Sequence, residues 1–298
     1  MDLAGLNLRD AGAVIALFEA GSRANFDAPC RRGAIDVIAA PGRLIATGDL
    51  HDNPMHLIKL VEAAHMGPGA TPGEDGPHLT LHEIIHPPSL VNGMDFSFRA
   101  LARVAALKAA YPARVHVLLG NHELAQVLGT IIMKDGVKSV DVFNDGLEYA
   151  YADRAADVAA AIKDFVFSMP VALLAECTGG RRLLFTHSLP SAAAMARFDA
   201  TILTRDLEER DYEPLKGSAY TMVWGRNHDA ELLEDLVERW GVNMFIMGHE
   251  KAERGVRLVA PNLVILNSDH SAGVYLPIDL DHPPGFDDIP TRVVGLSG

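Results

Sequence analysis

Arg43-Leu44-Ile45-Ala46-Thr47-Gly48-Asp49-Leu50-His51-Asp52-Asn53-Pro54 joins an apolar run to a turn that carries an acid and an imidazole two residues apart. In extended chain, residues i and i+2 point the same way, so Asp49 and His51 can converge on one point. One oxygen and one nitrogen ligand make half of a transition-metal or magnesium-type site. The amphipathic segment from Pro54 to His65 follows, with Asn53 as N-cap and Pro54 at the first helical position. The stretch therefore reads as strand, tight turn, helix, and its weight depends on whether the rest of the chain supplies partners.

The chain has 298 residues, 49% apolar and 22% charged, an ordinary globular balance that can bury a substantial core. The start, Met1-Asp2-Leu3-Ala4-Gly5, lacks the basic region and apolar stretch of a secretion signal. No run approaches the roughly 18 apolar residues of a membrane span. The two cysteines, Cys30 and Cys177, show no metal spacing and read as reduced thiols, so the expected location is the cytosol and no membrane is expected. A net charge of −13 argues against nucleic-acid binding, which needs cationic faces for phosphate. It leaves room for an anionic substrate where bound cations dominate the local field.

Along the chain, Leu8 to Ala20 reads as a helix that Gly21 would end. Ala34 to Ala40 and Arg43 to Thr47 read as a hairpin around Pro41-Gly42. Residues 66 to 78 are rich in Gly and Pro and read as a loop excursion, and 282 to 298 as an irregular tail. Phe96 to Tyr111, Val158 to Phe167 and Glu231 to Trp240 are helical patterns. Val171 to Ala175 and Arg182 to Thr186 flank Thr178-Gly179-Gly180, and Val256 to Ala260 and Leu263 to Asn267 flank Pro261-Asn262. With no internal repeat, the expectation is one domain over residues 1–298 whose motif core runs from about 43 to 267. The regularity that matters is polar: five apolar strands end at Asp49/His51, Glu83, Asn121/His122, His187 and His249. Ligands at successive strand ends collect at one edge of a sheet, where open α/β folds keep their sites.

His82-Glu83-Ile84-Ile85-His86 matches H-E-x-x-H, in which two histidines on one helical face bind zinc and the glutamate is the base. That geometry needs a helix. Here Leu79-Thr80-Leu81 favours strand, and Pro87 and Pro88 block continuation. The competing reading makes Glu83 the shared carboxylate of a two-metal site, with Asp49 and His51 on one ion and Asn121, His187 and His249 on the other. It employs every strand-end polar group, whereas the protease reading leaves Asp49, Asn121, His187 and His249 idle.

Gly48-Asp49-Leu50-His51, Gly120-Asn121-His122-Glu123, His187-Ser188-Leu189-Pro190 and Gly248-His249, in that order, resemble the motifs of the calcineurin-like metallophosphoesterases. Phe165 to Ala172 and Val223-Trp224 are similar to segments of the phosphoprotein phosphatase branch. The resemblance implies an α/β fold, a four-layer α-β-β-α sandwich, with a di-metal centre at strand ends. It also implies hydrolysis of phosphate esters by a metal-activated water. Carried over by motif, Asp49, His51, Asn121, His187 and His249 are metal ligands, Asn121 also contacts phosphate, and His122 protonates the leaving oxygen. Two divalent ions are implied, manganese first, with iron, zinc or magnesium as alternatives. The partner is a phosphorylated substrate, either a phosphoprotein or a small phosphate ester.

The second family motif, Gly-Asp-x-x-Asp-Arg-Gly, corresponds here to His82-Glu83-Ile84-Ile85-His86-Pro87-Pro88. Glu83 stands for the bridging aspartate and His86 for the acid that pairs with the proton donor. Proline replaces the phosphate-binding arginine and cannot supply its fork of donors. Arg226 is the candidate replacement, and Asp52 a candidate to orient His122. Three functions stay in play: a protein-phosphatase-like phosphomonoesterase, a nucleotide or dinucleotide polyphosphate hydrolase on the same site, and a phosphatase-like binding module with weak turnover.

Overall fold

The computed structural model of the chain describes residues 1–71, 75–130, 132–134 and 136–297. Residues 72–74 of the expected 66–78 loop lie outside the described residues.

Alternation along the strands sends successive side chains into two different cores. In Arg43–Thr47, Leu44 and Ala46 join one core and Ile45 the other. Leu183 and Phe185 part in the same way from Leu184, Met244 and Ile246 from Phe245, and Val264 and Leu266 from Ile265. A strand apolar on both faces must be covered on both, and burial of each Leu, Ile or Phe is worth about 2 kcal/mol over leaving it in water. The solution is two sheets face to face with helices outside. Leu173, Ala175, Leu183, Phe185, Leu44, Ala46, Leu276 and Ile278 fill the space between the sheets. The outward-facing residues pack with Phe18, Leu60, Leu101, Phe165 and Leu236 from five helices, namely Ala11–Phe26, Pro54–Ala63, Phe98–Ala110, Ala155–Ser168 and Ala230–Trp240.

One sheet has seven strands in the order Arg31–Arg32, Ile35–Ala39, Ala172–Glu176, Arg182–Thr186, Met244–Met247, Leu263–Leu266, Val256–Val259. The sheet facing it has five, in the order Val294–Gly295, Val274–Asp279, Arg43–Thr47, His78–Leu81, Val115–Val117, and a separate two-stranded ribbon pairs Met133–Lys134 with Val137–Lys138. Arg43–Thr47, His78–Leu81 and Val115–Val117 are parallel neighbours, as are Arg182–Thr186 and Met244–Met247. Their C-terminal ends bring the five polar turns together from two sheets rather than along one edge.

The strands that flank Thr178-Gly179-Gly180 and those that flank Pro261-Asn262 pair antiparallel. The hairpin expected at Pro41-Gly42 does not form. Ile35–Ala39 pairs with Ala172–Glu176 in one sheet, and Arg43–Thr47 with Val274–Asp279 and His78–Leu81 in the other. Leu44 parts from Ile45, and Ile38 from Ile35, into the two cores, so crossing between sheets buries more than a hairpin with a wet side. Gly21 does not end the first helix, which runs on to Phe26. A Cβ there would lie 2.8 Å from the Phe165 ring and 2.9 Å from Ala105, so this glycine lets three helices pack closely. The tail is not wholly irregular either: Ile289–Arg292 is helical, and Val294–Gly295 pairs with Val274 and Tyr275. No described helix is long and apolar enough to cross a membrane.

Candidate metal centre

Close backbone contacts fix the turns. A Cβ on Gly48 would overlap the Leu266 carbonyl, so only glycine lets the two sheets meet just before Asp49. The amides of Leu50 and His51 donate to the Glu83 carbonyl at 3.0 and 2.8 Å, and that of Asp52 to Ile84 at 2.7 Å. These bonds dock the first ligand turn on the second. His51, Asp52, Glu83, His86 and His249 all have φ between 43° and 65°. Left-handed backbone costs a non-glycine residue of order 1 kcal/mol or more, and such strain clusters where side chains must be aimed.

The imidazoles converge with Asn121. His187 Nε2 lies 2.7 Å from Asn121 Oδ1, 3.0 Å from His249 Nδ1 and 3.5 Å from Glu83 Oε2, and His249 Nδ1 is 3.0 Å from the same Asn121 oxygen. Ligands about 2.1 Å from a shared cation sit about 3.0 Å apart in an octahedron and about 3.4 Å apart in a tetrahedron. These four separations, 2.7 to 3.5 Å, span that spacing, and the donor set of two nitrogens, an amide oxygen and a carboxylate suits a divalent ion. The residues present fit a metal.

The other nitrogen of His187 faces a second group. His187 Nδ1 is 3.1 Å from His82 Nδ1 and 3.6 Å from Asp49 Oδ1, and His82 Nδ1 is 3.5 Å from Asp49 Oδ1. His82 Nε2 lies 3.0 Å from the Thr47 carbonyl and must donate to it. His82 Nδ1 is then an acceptor, His187 Nδ1 donates to it, and the His187 lone pair is left on Nε2, aimed at Asn121 and His249. His51 Nδ1 is likewise 3.0 Å from the Ile85 carbonyl, which assigns its proton there and its lone pair to Nε2. Asp49, His82 and His187 are buried, each with a ligand atom within 4.8 Å of the others.

The carboxylates are crowded. Asp49 receives the His249 amide at 2.9 and 3.0 Å. Glu123 Oε1 receives the amides of Ile84 and Ile85 at 2.6 and 3.2 Å. The Oε2 atoms of Glu83 and Glu123 both lie where a Cβ on Gly120 would be. Burial pushes Asp49 up to about 7, aided by Asp269 and Glu123. Burial also raises Glu83 well above the carboxylate range, with Glu123 and Asp49 adding to it. The imidazoles are held neutral: burial lowers His82 to about 4 and His249 to about 3 and takes His187 well down. Clustered acids beside neutral imidazoles form a cage that calls for positive charge.

His122 stands next to the cage, its Nε2 3.5 Å from Glu83 Oε1 and its ring edge-on to His51 and His86. His86 Nδ1 is 2.8 Å from Asp95 Oδ2, and its amide donates to Ser97 Oγ at 3.1 Å. Asp95 is 1% exposed. Asp52 is not brought to His122 by a hydrogen bond in this way; the charges bearing on its carboxyl are Asp95, Arg103 and Arg99, and burial raises it to about 6. Arg226 does reach the site. Its Nη1 donates to the His249 carbonyl at 2.8 Å, and it lines a cavity of about 560 Å³ with Asp49, His51 and His249. Asp269 and His270 line the same cavity.

His82, Glu123 and Asp95 are the site residues that pattern reading passed over. His82 is adjacent to the assigned ligand Glu83 and Glu123 to the assigned proton donor His122, yet nothing in the spacing shows that His82 turns inward. Asp95 had no signal, since it meets His86 through a loop.

Two facing sheets with helices outside, and a buried cage of acids and imidazoles at their joined strand ends, define a metal-dependent hydrolase fold. A family model, calcineurin-like phosphoesterase, matches residues 42–252, and the chain belongs to that family, whose members are binuclear metal-dependent phosphoesterases. It is a phosphoric ester hydrolase. Among solved structures, a protein serine/threonine phosphatase from Saccharomyces cerevisiae superposes with a TM-score of 0.67 at 13% identity, over 91% of this chain and 83% of that one. A cold-active protein-tyrosine phosphatase of a psychrophile Shewanella superposes with a TM-score of 0.51 at 14% identity, over 82% and 77%. At these identities the likeness is one of fold. No curated protein matches the sequence.

Proposed function

We propose that the chain is a phosphomonoesterase of the protein-phosphatase type, acting in the cytosol as a single domain over residues 1–298 with two manganese ions. Asp49, His51 and Glu83 would hold one ion, and Glu83, Asn121, His187 and His249 the other. When bound, the ions acidify the attacking water and offset the charge of the phosphoryl oxygens. The protein's own groups do the rest. Arg226 and the Asn121 amide orient the phosphate from the cavity wall. His122, held between His51 and His86, delivers a proton to the leaving oxygen. His86, fixed by Asp95, takes the place of the usual acidic partner. Asp52 is the second residue proposed for that support.

The observation that carries this reading is the convergence of His187 Nε2, His249 Nδ1, Asn121 Oδ1 and Glu83 Oε2 within 2.7 to 3.5 Å of His187 Nε2 or of one another. Hydrolysis of p-nitrophenyl phosphate should depend on added Mn²⁺. In Asp49→Asn, kcat/KM should fall by at least about a thousandfold, as expected when a transition-state interaction is removed. Full activity in metal-stripped protein would overturn the reading.

A further inference from the structure

The cavity over the metal cage does not end at Arg226. It adjoins a second cavity of about 550 Å³ with which it shares Arg226, Glu250, Lys251 and Glu253, and which runs on to Arg254 and Arg257. Four cations line this extension in a chain whose net charge is −13. One of its two acids is already committed. Glu250 Oε2 pairs with Arg257 Nη2 at 2.7 Å, and its Oε1 accepts the Asn227 amide at 3.1 Å and lies 3.3 Å from His228 Nδ1. His228, then Arg257, hold its carboxyl down at about 2. Arg226 is anchored by one nitrogen on the His249 carbonyl. Lys251 and Arg254 are exposed and have no ion-pair partner within 4.0 Å among the described residues. Arg226, Lys251 and Arg254 thus face the extension against Glu253 alone.

The backbone that presents these cations is tied down. The Ala252 amide donates to Asn267 Oδ1 at 2.6 Å, and its carbonyl receives the Gly255 amide at 2.7 Å and lies 3.2 Å from His270 Nε2. Gly255 has φ 80°, and a Cβ there would overlap the Ala272 carbonyl, so the loop closes only with glycine. Both ends of the loop rest on the Asp49 and Asn267 strand ends, so its backbone holds the Cα atoms of Lys251 and Arg254 at a fixed place beside the cage. A fixed backbone lowers the ordering cost of binding an anion, and guanidinium suits phosphoryl oxygens.

We propose that the loop from 249 to 257 is a second anion subsite, and that the substrate is a small phosphate ester carrying a second phosphoryl group. The reacting phosphate lies over the cage, and the second is gripped by Lys251 and Arg254. This rests on the phosphatase reading above. A cavity of this size suits a small molecule, and the chain's overall acidity works against a long polyanion.

The test compares matched sugar monophosphates and bisphosphates, such as fructose 6-phosphate and fructose 1,6-bisphosphate, on the manganese-loaded protein. The wild type should favour the bisphosphate by about tenfold or more in kcat/KM, the order expected of charge-assisted contacts. Lys251→Ala/Arg254→Ala should lose that preference through KM and keep its rate on p-nitrophenyl phosphate within about twofold. Calorimetric titration with the same pairs reads the subsite independently of turnover. Equal handling of the pairs, a preference that survives in the double variant, or stronger use of acidic phosphopeptides would each overturn the proposal. Absence of p-nitrophenyl phosphate hydrolysis by the wild type would instead overturn the phosphatase reading, leaving the titration to decide the subsite.

Discussion

On one side of the cleft, His187 and His249 follow adjacent parallel strands, and their nitrogens meet Asn121 Oδ1 at 2.7 and 3.0 Å. On the other, the segment from His82 to Pro88 leaves its strand at Leu81 and is shaped by tertiary contacts: Glu83 and His86 at positive φ, Glu123 on two of its amides, Asp95 on His86. The first side keeps the family pattern and the second departs from it. Strand register brings the unaltered side together, with His82 on His187 and Asp49 on the His249 amide to finish the aim. The altered side has lost its aspartates and arginine and is held by residues recruited from elsewhere.

The sharpest way to break this comparison is at the glycine where the two sides touch. Gly120→Ala puts a methyl on the Glu83 and Glu123 carboxylates. It should abolish binding of one ion and lower kcat/KM by at least about a thousandfold, with an unchanged circular dichroism spectrum. Two manganese ions per chain by elemental analysis of that variant would defeat the claim. A smaller effect belongs to the recruited pair: Asp95→Asn should cut kcat by roughly ten- to a hundredfold by loosening His86 against His122, with metal content unchanged. If metal content falls in step with kcat, Asp95 serves the cage and not the proton donor. His82→Leu removes the acceptor that sets the His187 tautomer on the unaltered side, and metal affinity should drop by about tenfold in a competition titration. An affinity equal to wild type would leave His82 without that role.

The last effect is graded with pH. Asp49 gives up its proton near 7, whereas His82 and His249 are neutral above about 4 and about 3. Below about pH 7 a proton therefore competes with the cation, and apparent affinity should rise about tenfold per unit for each proton displaced, then level off. Without metal the sign reverses. A carboxyl raised from 3.8 to about 7 favours the fold at low pH and withdraws that support as pH climbs through the interval. The difference in melting temperature between stripped wild type and Asp49→Asn should follow that course, and a flat difference from pH 4 to 8 would contradict it.

Much of the architecture was legible because the strands are short, apolar and end in polar turns. What alternation could not show was that Ile38 and Leu44 face a shared core from different sheets, since a strand buried on both sides reads the same in a hairpin or in a sandwich. Val274–Asp279 and Ser139–Tyr151 were passed over because a proline interrupts the first and Gly146 the second. In the site, ordered motifs picked out Asp49, His51, Asn121, His187 and His249, all of which arrive together. The supporting residues were hidden because a side chain that meets its partner across loops leaves no period. Asp52, at φ 56°, feels the charges of Asp95, Arg103 and Arg99 on its carboxyl, an influence that sequence adjacency to His51 does not show.

The carboxylate of Asp49 accepts the backbone amide of His249, and the Asp49 carbonyl accepts that of Ser268. A single residue therefore rivets the end of the five-stranded sheet to two turns of the seven-stranded one. An ion that binds only the folded cage stabilises the riveted state by mass action, and stripping the ion withdraws that stabilisation. The abundance of folded protein, and its resistance to proteases, should then rise and fall with the metal supply of the cell, before any substrate is encountered.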